Sequence, residues 1–343
     1  MKNINIENVF KITFVIIGTI IGAGFASGQE IYSFFNIYGY KGLIGIIVSI
    51  GLISLIIYKS LNIIKNNNIQ NYQSFIKHIV LVKLKNNNLL IYSINNIINI
   101  FLVISFNVMV AGFSTYFFQE LSIPKFYGAI IIAVLSYIIF INGIEGLMKI
   151  NTCFIPIIIL LICFLGINKI EKMYIILQTG DTNSFYWLLS SILYASYNSI
   201  PLFPILINFK DKINNRKEIV LITFIIFFLM LIMSIIIFLL INSHIQDVKD
   251  IEIPIVYIAS TIGKGFKYLY GIVILIAIFT TAIGSGYGFL KNITFDKKKN
   301  RLIAGTMCLI SVFVGQLGFS SLINFLYPVF GYLGLVQIFF LLI

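Results

Sequence analysis

The chain has 343 residues, of which 59% are hydrophobic and only 10% charged, with a formal net charge of +12 and a mean hydropathy of +1.01. Soluble domains carry roughly 25% charged residues, so such a chain cannot clothe a water-facing globule. A soluble enzyme, a secreted disulfide scaffold and a disordered tail are excluded, and a polytopic all-α membrane protein remains.

A helix crosses a bilayer with about 20 consecutive apolar residues. Such runs fall at roughly 10–36, 42–64, 89–118, 126–144, 152–168, 184–207, 218–242, 266–291, 302–318 and 322–342, which predicts ten transmembrane helices in a single transmembrane domain. The first run contains Gly18-Thr-Ile-Ile-Gly22-Ala-Gly24-Phe-Ala-Ser27-Gly28-Gln29-Glu30. Each glycine weakens a helix by roughly 1 kcal/mol, and irregular backbone at membrane depth survives only when buried in protein or lining a cavity. Ser27 to Glu30 fits an S-x-x-E capping box that starts a new helix. The run therefore reads as a helix that stops and restarts within the bilayer. Close helix packing through Gly18-x-x-x-Gly22 is the simpler alternative, but packing does not require Gln29 and Glu30. A carboxylate at this depth is costly and marks a functional candidate; its simpler role is to cap the second half-helix.

Between the second and third runs, Asn66-Asn67-Asn68 and Asn86-Asn87-Asn88 read as solvated linkers. His78 lies between them and His244 far downstream; both read as loop residues with no partner at metal-ligand spacing. Cys153, Cys163 and Cys308 lie in apolar runs and read as buried free thiols. The sixth run is interrupted by Ala195-Ser196-Tyr197-Asn198-Ser199-Ile200-Pro201, followed by Pro204. Proline removes a backbone donor and pushes its predecessor out of helical geometry. Asn198 or Ser199 is placed to cap a second half-helix with Pro201 in its first turn; a proline kink is the simpler alternative. The segment 245–264 is too polar to cross, and Ile253-Pro254-Ile255 reads as the start of a short external helix over the bundle.

Orientation follows from lysine and arginine. With the N-terminus in the cytoplasm, 17 of the 24 basic residues fall on the inner side and 7 on the outer. Both termini are then cytoplasmic in a plasma membrane, and the +12 reports orientation against an anionic leaflet rather than a polyanion-binding surface. A cleavable signal peptide, suggested by Lys2, Lys11, the run Ile12 to Ile21 and Gly24-Phe25-Ala26, would leave nine spans and spoil this sorting.

The two breaks fall in the first and sixth of ten spans, the same place in two halves of five, 10–168 and 184–342. Five is odd, so the halves have inverted topology. Interrupted helices at matching places in inverted repeats point to a secondary transporter's binding site. At this point the chain resembles the amino acid–polyamine–organocation superfamily with the LeuT fold. The stretch from Gly18 through Gly45, with Phe34-Phe35, Tyr38-Gly39, Gly42 and Gly45, is most similar to the bacterial YkvI-type membrane proteins.

That resemblance implies a 5+5 inverted repeat with helices 1 and 6 broken, and an ion site between the first and eighth helices. The family pattern G-x-x-x-G-x-G is matched by Gly18, Gly22 and Gly24. It carries the sodium ligands to the carbonyls of Gly18 and Ile21, with Ala277 as carbonyl donor and Thr280 and Thr281 as paired hydroxyls. Such neutral oxygens suit a hard cation, although membrane threonines also bond back to their own helix. The solute would lie between the breaks, with Ala23, Gly24, Ala26 and Ser27 facing Ala195, Ser196 and Asn198, with Asn107 as a side wall and Glu30 as a competitor for a carboxylate or a partner for an amine.

The expected function is sodium-coupled secondary transport of a small organic solute, an amino acid or amine. Alternating access would rock spans 1, 2, 6 and 7 against spans 3, 4, 8 and 9. Proton coupling through Glu30 and a non-transporting ligand sensor on the same fold are the rivals. No enzyme is expected, because Glu30 stands nearly alone among the spans, and no cofactor beyond the coupling ion. The partners are the bilayer and the solute; a nucleic-acid role has no aromatic–basic motif and no soluble domain.

Overall fold

A computed structural model describes residues 4–70, 72–81, 88–142, 147–169, 185–293 and 296–342, without side chains at 80–81, 88–91, 147–153 and 297. Lys2, Lys83, Lys85 and Lys172 of the charge sorting, and the Cys153 side chain, lie outside this description. The helices run α1 (Ile6–Ile20), α2 (Ala23–Ser27), α3 (Gln29–Phe34), α4 (Tyr40–Asn66), α5 (Tyr72–Leu81), α6 (Asn88–Leu121), α7 (Lys125–Asn142), α8 (Leu147–Asn168), α9 (Tyr186–Leu206), α10 (Arg216–Ser243), α11 (Ile245–Val248), α12 (Pro254–Ser260), α13 (Lys264–Ile293), α14 (Lys297–Val314) and α15 (Phe319–Leu342). All regular elements among the described residues are helical.

Seven helices, α4, α6, α7, α9, α10, α13 and α15, are by themselves long and apolar enough to cross a membrane. The remaining expected spans correspond to α1–α3, whose breaks keep each piece short, to α8, with its apolar stretch Phe154–Asn168, and to α14. That last helix begins at Lys297 rather than 302, because the Asp296 side chain accepts from the Lys298 amide at 2.9 Å and caps the charged first turn. It also ends at Val314 rather than 318.

The packing divides the long helices into two groups. α4 lies against α9 and α10, and α1 against α9 and α10; α6 pairs with α13 and α7, and α14 with α7 and α6. These are the sets expected as spans 1, 2, 6 and 7 and spans 3, 4, 8 and 9. α15 lies along α9 and also touches α6 and α4. In lipid the drive to associate is close packing and interhelical bonding rather than hydrophobicity, and the buried surface is accordingly built of small and β-branched residues such as Ile16, Ile17, Ala23, Ala195 and Ile283.

Two expectations are corrected. The linker between the second and third spans contains α5, whose Phe75, Ile76 and Ile79 are buried, with Phe75 5.2 Å from the Phe203 ring. His78 is therefore helical, while His244 ends α10 with its ring bonded to the Leu240 carbonyl. The sixth helix is not broken: α9 is continuous from Tyr186 to Leu206 with Pro201 and Pro204 inside it. The polar residues read as a new cap bond back to their own helix instead: Asn198 Nδ2 donates to Tyr194 O (3.0 Å) and Ser199 Oγ to Ser196 O (2.6 Å). Pro201 thus sits within a helix stitched by side chains rather than at a restart.

Charged side chains tie the helices together at both ends of the bundle. At the end bearing α12, Lys125 pairs with Glu252 (2.8 Å) and Lys267 with Glu120 (2.7 Å). At the other, basic side chains close on carbonyls and hydroxyls: Lys59 on Leu342 O, Lys65 on Ile213 O and Arg216 on the Tyr58 hydroxyl. The Glu218 carboxylate there accepts from the Asn5 and Asn214 amides at 3.0 and 2.7 Å, tying the start of α1 to that of α10.

Candidate functional site

The first span does break, at Ile21–Gly22 between α1 and α2. Ile21 has ψ 79° and Gly22 ψ −174°, so two residues leave helical geometry. The Gly22 amide then donates to Ile20 O (2.9 Å) instead of to Gly18 O four residues back. The amide four residues beyond Ile21, that of Phe25, faces the Glu30 carboxylate. The carbonyls of Gly18 and Ile21 thereby lose their helical partners, which at this depth leaves strong acceptors to be satisfied.

The expected ion ligands on α13 stand opposite. A Cβ built on Gly22 would lie 3.8 Å from the Thr281 methyl, so the break and the threonine pair are in contact. Thr280 and Thr281 both donate to Ala277 O, at 3.2 and 2.8 Å, which gathers three oxygens within one turn while spending both hydroxyl protons on the helix itself. Ala277 and Thr280 are buried and Thr281 half-buried.

A second kink follows at Gly28, with φ +84° between α2 and α3. Only glycine adopts this conformation without strain. The expected capping box is not formed there. Ser27 Oγ accepts from the Gln29 amide (3.3 Å) and donates to Gly24 O (3.0 Å), and Glu30 does not reach back to Ser27. The αL kink turns α3 so that the Glu30 carboxylate lies over Gly24, where a Cβ would collide with it, and accepts a short hydrogen bond from the Tyr197 hydroxyl of α9. Glu30 is 2% exposed, and no basic residue among those described forms an ion pair with it.

Aromatic rings enclose this carboxylate. Tyr197 stacks on Phe34 (5.8 Å between centroids) and lies 4.7 Å from Tyr327 of α15, while Tyr194 meets Phe34 and Phe35 edge-on. The Tyr194 hydroxyl lies beside the same carboxylate without meeting hydrogen-bond geometry. On the other side Tyr270 of α13 donates to Ala26 O (2.7 Å).

Every residue expected to line the solute site is buried: Ala23, Gly24, Ala26, Ser27, Glu30, Asn107, Ala195, Ser196 and Asn198. They are not all brought to one surface. α2 packs mainly against α13 and α12, and it is α3, through Glu30 and Phe34, that meets α9. Asn107 donates to Val103 O of its own helix (2.8 Å), leaving its Oδ1 unpaired, as is the Ser196 hydroxyl. The sequence reading missed Tyr197, Tyr194, Tyr327 and Phe34. Tyr194 and Tyr197, three apart and so on one helix face, were the available signal.

No protein-family model matches the chain. Among solved structures it is similar to Mhp1 in its inward-facing conformation, with a TM-score of 0.62 over 95% of this chain and 73% of that one at 11% identity. It is likewise similar to a manganese transporter of Eremococcus coleocola, with a TM-score of 0.61 over 95% and 76% at 14% identity. The class is thereby defined: a helical membrane protein with the LeuT fold found in secondary transporters. In sequence the chain is similar to the uncharacterized membrane protein YkvI of Bacillus subtilis (strain 168), 26% identical over 96% of this chain and 93% of that protein. The uncharacterized protein YyaD of the same organism is 23% identical over 94% and 92%. The resemblance carried by the Gly18–Gly45 stretch is thus met.

Proposed function

We propose that this chain is a secondary transporter of a small organic solute, an amino acid or amine, working by alternating access of α1, α4, α9 and α10 against α6, α7, α13 and α14. The observation that carries this reading is the break at Ile21–Gly22, which strips the Gly18 and Ile21 carbonyls of their helical amides directly opposite Thr281. A broken helix whose carbonyls face a hydroxyl-bearing neighbour is how such folds hold a coupling cation. Sodium as co-substrate would take these carbonyls with Ala277 O, Thr280 and Thr281, the threonine hydroxyls turning their lone pairs inward. The solute would bind between α2–α3 and α9, against Ser27, Glu30, Ser196 and Asn198, in a ten-span chain with both termini in the cytoplasm.

Uptake of labelled amino acids and amines into proteoliposomes, with and without an inward sodium gradient, tests the reading. The expected result is uptake that rises with the gradient and loses that dependence in Thr281→Ala. Sodium-independent uptake unchanged in Thr281→Ala would refute the ion site. A second reading is favoured by one observation: Glu30 is a buried carboxylate without a cationic partner. Charge in that setting costs several kcal/mol unless compensated, so Glu30 is the group to carry a coupling proton. Uptake driven by a proton gradient and abolished in Glu30→Gln supports that variant.

A further inference from the structure

At the end of the bundle bearing α12, a cavity of about 430 Å³ opens between α3 with the 3-10 turn that follows it (Asn36–Tyr38), the start of α9, and α15 from Asn324 to Tyr332. Four tyrosines from these segments converge on it: Tyr32, Tyr38, Tyr186 and Tyr332. Its floor is Phe34, and behind Phe34 stand Tyr194 and Tyr197. This aromatic wall separates the cavity from Glu30.

The polar lining is small and neutral. Ser190 Oγ donates to Phe34 O (2.8 Å) and pins the end of α3 to α9. Ser33 Oγ lies 2.8 Å from Gln29 O and 2.5 Å from Asn324 Oδ1. The Ser33 hydroxyl has one proton for these two oxygens, so it meets the Asn324 amide either as donor to Oδ1 or, with the amide turned over, as acceptor from Nδ2. In both arrangements at least one Asn324 N–H has no protein acceptor among the described residues. Among the described residues, no lysine, arginine, aspartate, glutamate or histidine lines the space.

These features select a ligand by charge. A carboxylate or phosphate entering would be desolvated without a cation, and an ammonium without an anion. A flat neutral ring loses nothing of that kind, gains stacking area on tyrosine faces, and can offer a carbonyl to Asn324. The volume lies toward the small end of ligand pockets, which run from about 300 to 1,000 Å³, and suits one or two rings. Tyrosines also gather at membrane interfaces without any ligand, but a belt spreads around the bundle, whereas these come from three segments onto one space.

We propose that this cavity is a binding site for an uncharged, ring-bearing polar molecule, distinct from the buried site at Glu30. Binding here requires no transport, so it stands or falls separately from the transport reading. The experiment is equilibrium dialysis of the purified full chain in detergent against three near-isosteric probes: nicotinamide (neutral), nicotinate (anionic) and 1-methylnicotinamide (cationic), with uracil and benzamide as further neutral rings. The expected result is saturable binding of at least one neutral ring, at least tenfold tighter than either charged probe. It should weaken tenfold or more in Asn324→Ala and disappear in Leu189→Trp, which fills the cavity from a position already 36% exposed. Glu30→Gln should leave it unchanged. Equal or tighter binding of a charged probe, no saturable binding of any neutral ring, or binding lost in Glu30→Gln but kept in Leu189→Trp would each overturn the proposal.

Discussion

Replacing Tyr197 with phenylalanine removes one hydroxyl and leaves its ring in place against Phe34 and Tyr327. That hydroxyl donates to Glu30 Oε2 between two helices, and without it the carboxylate keeps the Phe25 amide that faces it and the Tyr194 hydroxyl beside it. A hydrogen bond to a charged group contributes about 1.5–3 kcal/mol, and a neutral one about 0.5–1.5. At a pH where Glu30 is ionised, Tyr197→Phe should therefore cost about 2 kcal/mol in the native chain but only about 1 kcal/mol when Glu30 is already glutamine. The two single variants and the double variant form a cycle, with unfolding followed by circular dichroism in mixed micelles titrated with a denaturing detergent. A coupling of about 1 kcal/mol is expected, because residues sharing one hydrogen bond fail to add. Additivity within about 0.5 kcal/mol would show that Tyr197 and Glu30 act independently and would refute the carboxylate cage.

Other perturbations test neighbouring parts of the structure. Gly28→Ala meets φ +84° and places a Cβ 2.7 Å from Ile255 and 2.9 Å from Ile241. Left-handed strain of about 1–2 kcal/mol and overpacking of about 1–3 kcal/mol should lower thermal stability sharply, while Gly51→Ala, with open space around it, should not. Glu252 binds Lys125 (2.8 Å) and the Ser320 amide (3.2 Å) just before α12. The ion pair is partly exposed and contributes about 1 kcal/mol at most, so Glu252→Gln should loosen α12 less than Glu252→Ala, as read by hydrogen exchange of the Ile255–Ala259 amides. Equal exchange in both variants and the native chain would remove Glu252 as the anchor. Glu218→Ala removes the acceptor of two backbone amides and should speed exchange at the Asn5 and Asn214 amides without affecting α12.

Much of the fold was legible because a bilayer constrains the chain so tightly. Apolar runs of the right length placed the helices within a few residues, and the glycine-rich patch in the first run located a real break. The sixth run misled, since Pro201 beside Ser196, Asn198 and Ser199 carries the same signals as a restart. Whether those side chains cap a new helix or bond back to the old one depends on where their donors point, and composition does not record that. The same limit applied to Ser27 and Glu30, whose S-x-x-E spacing promised a local cap. Glu30 instead found Tyr197, 167 residues away, since Gly28 turned it out of the first helix.

Composition and the lengths of the apolar runs were enough to give this protein its apolar solvent, its all-helical build and the place of its first break along the chain, because unsatisfied backbone in hydrocarbon leaves few solutions. What that break faces was set by how the helices pack. Hydrogen bonds and ring contacts across helices are set by rotation and tilt of packed cylinders, which no local pattern encodes. It is that packing which set Thr281 opposite Gly22, closed tyrosines around Glu30, and left a neutral aromatic cavity between α3, α9 and α15.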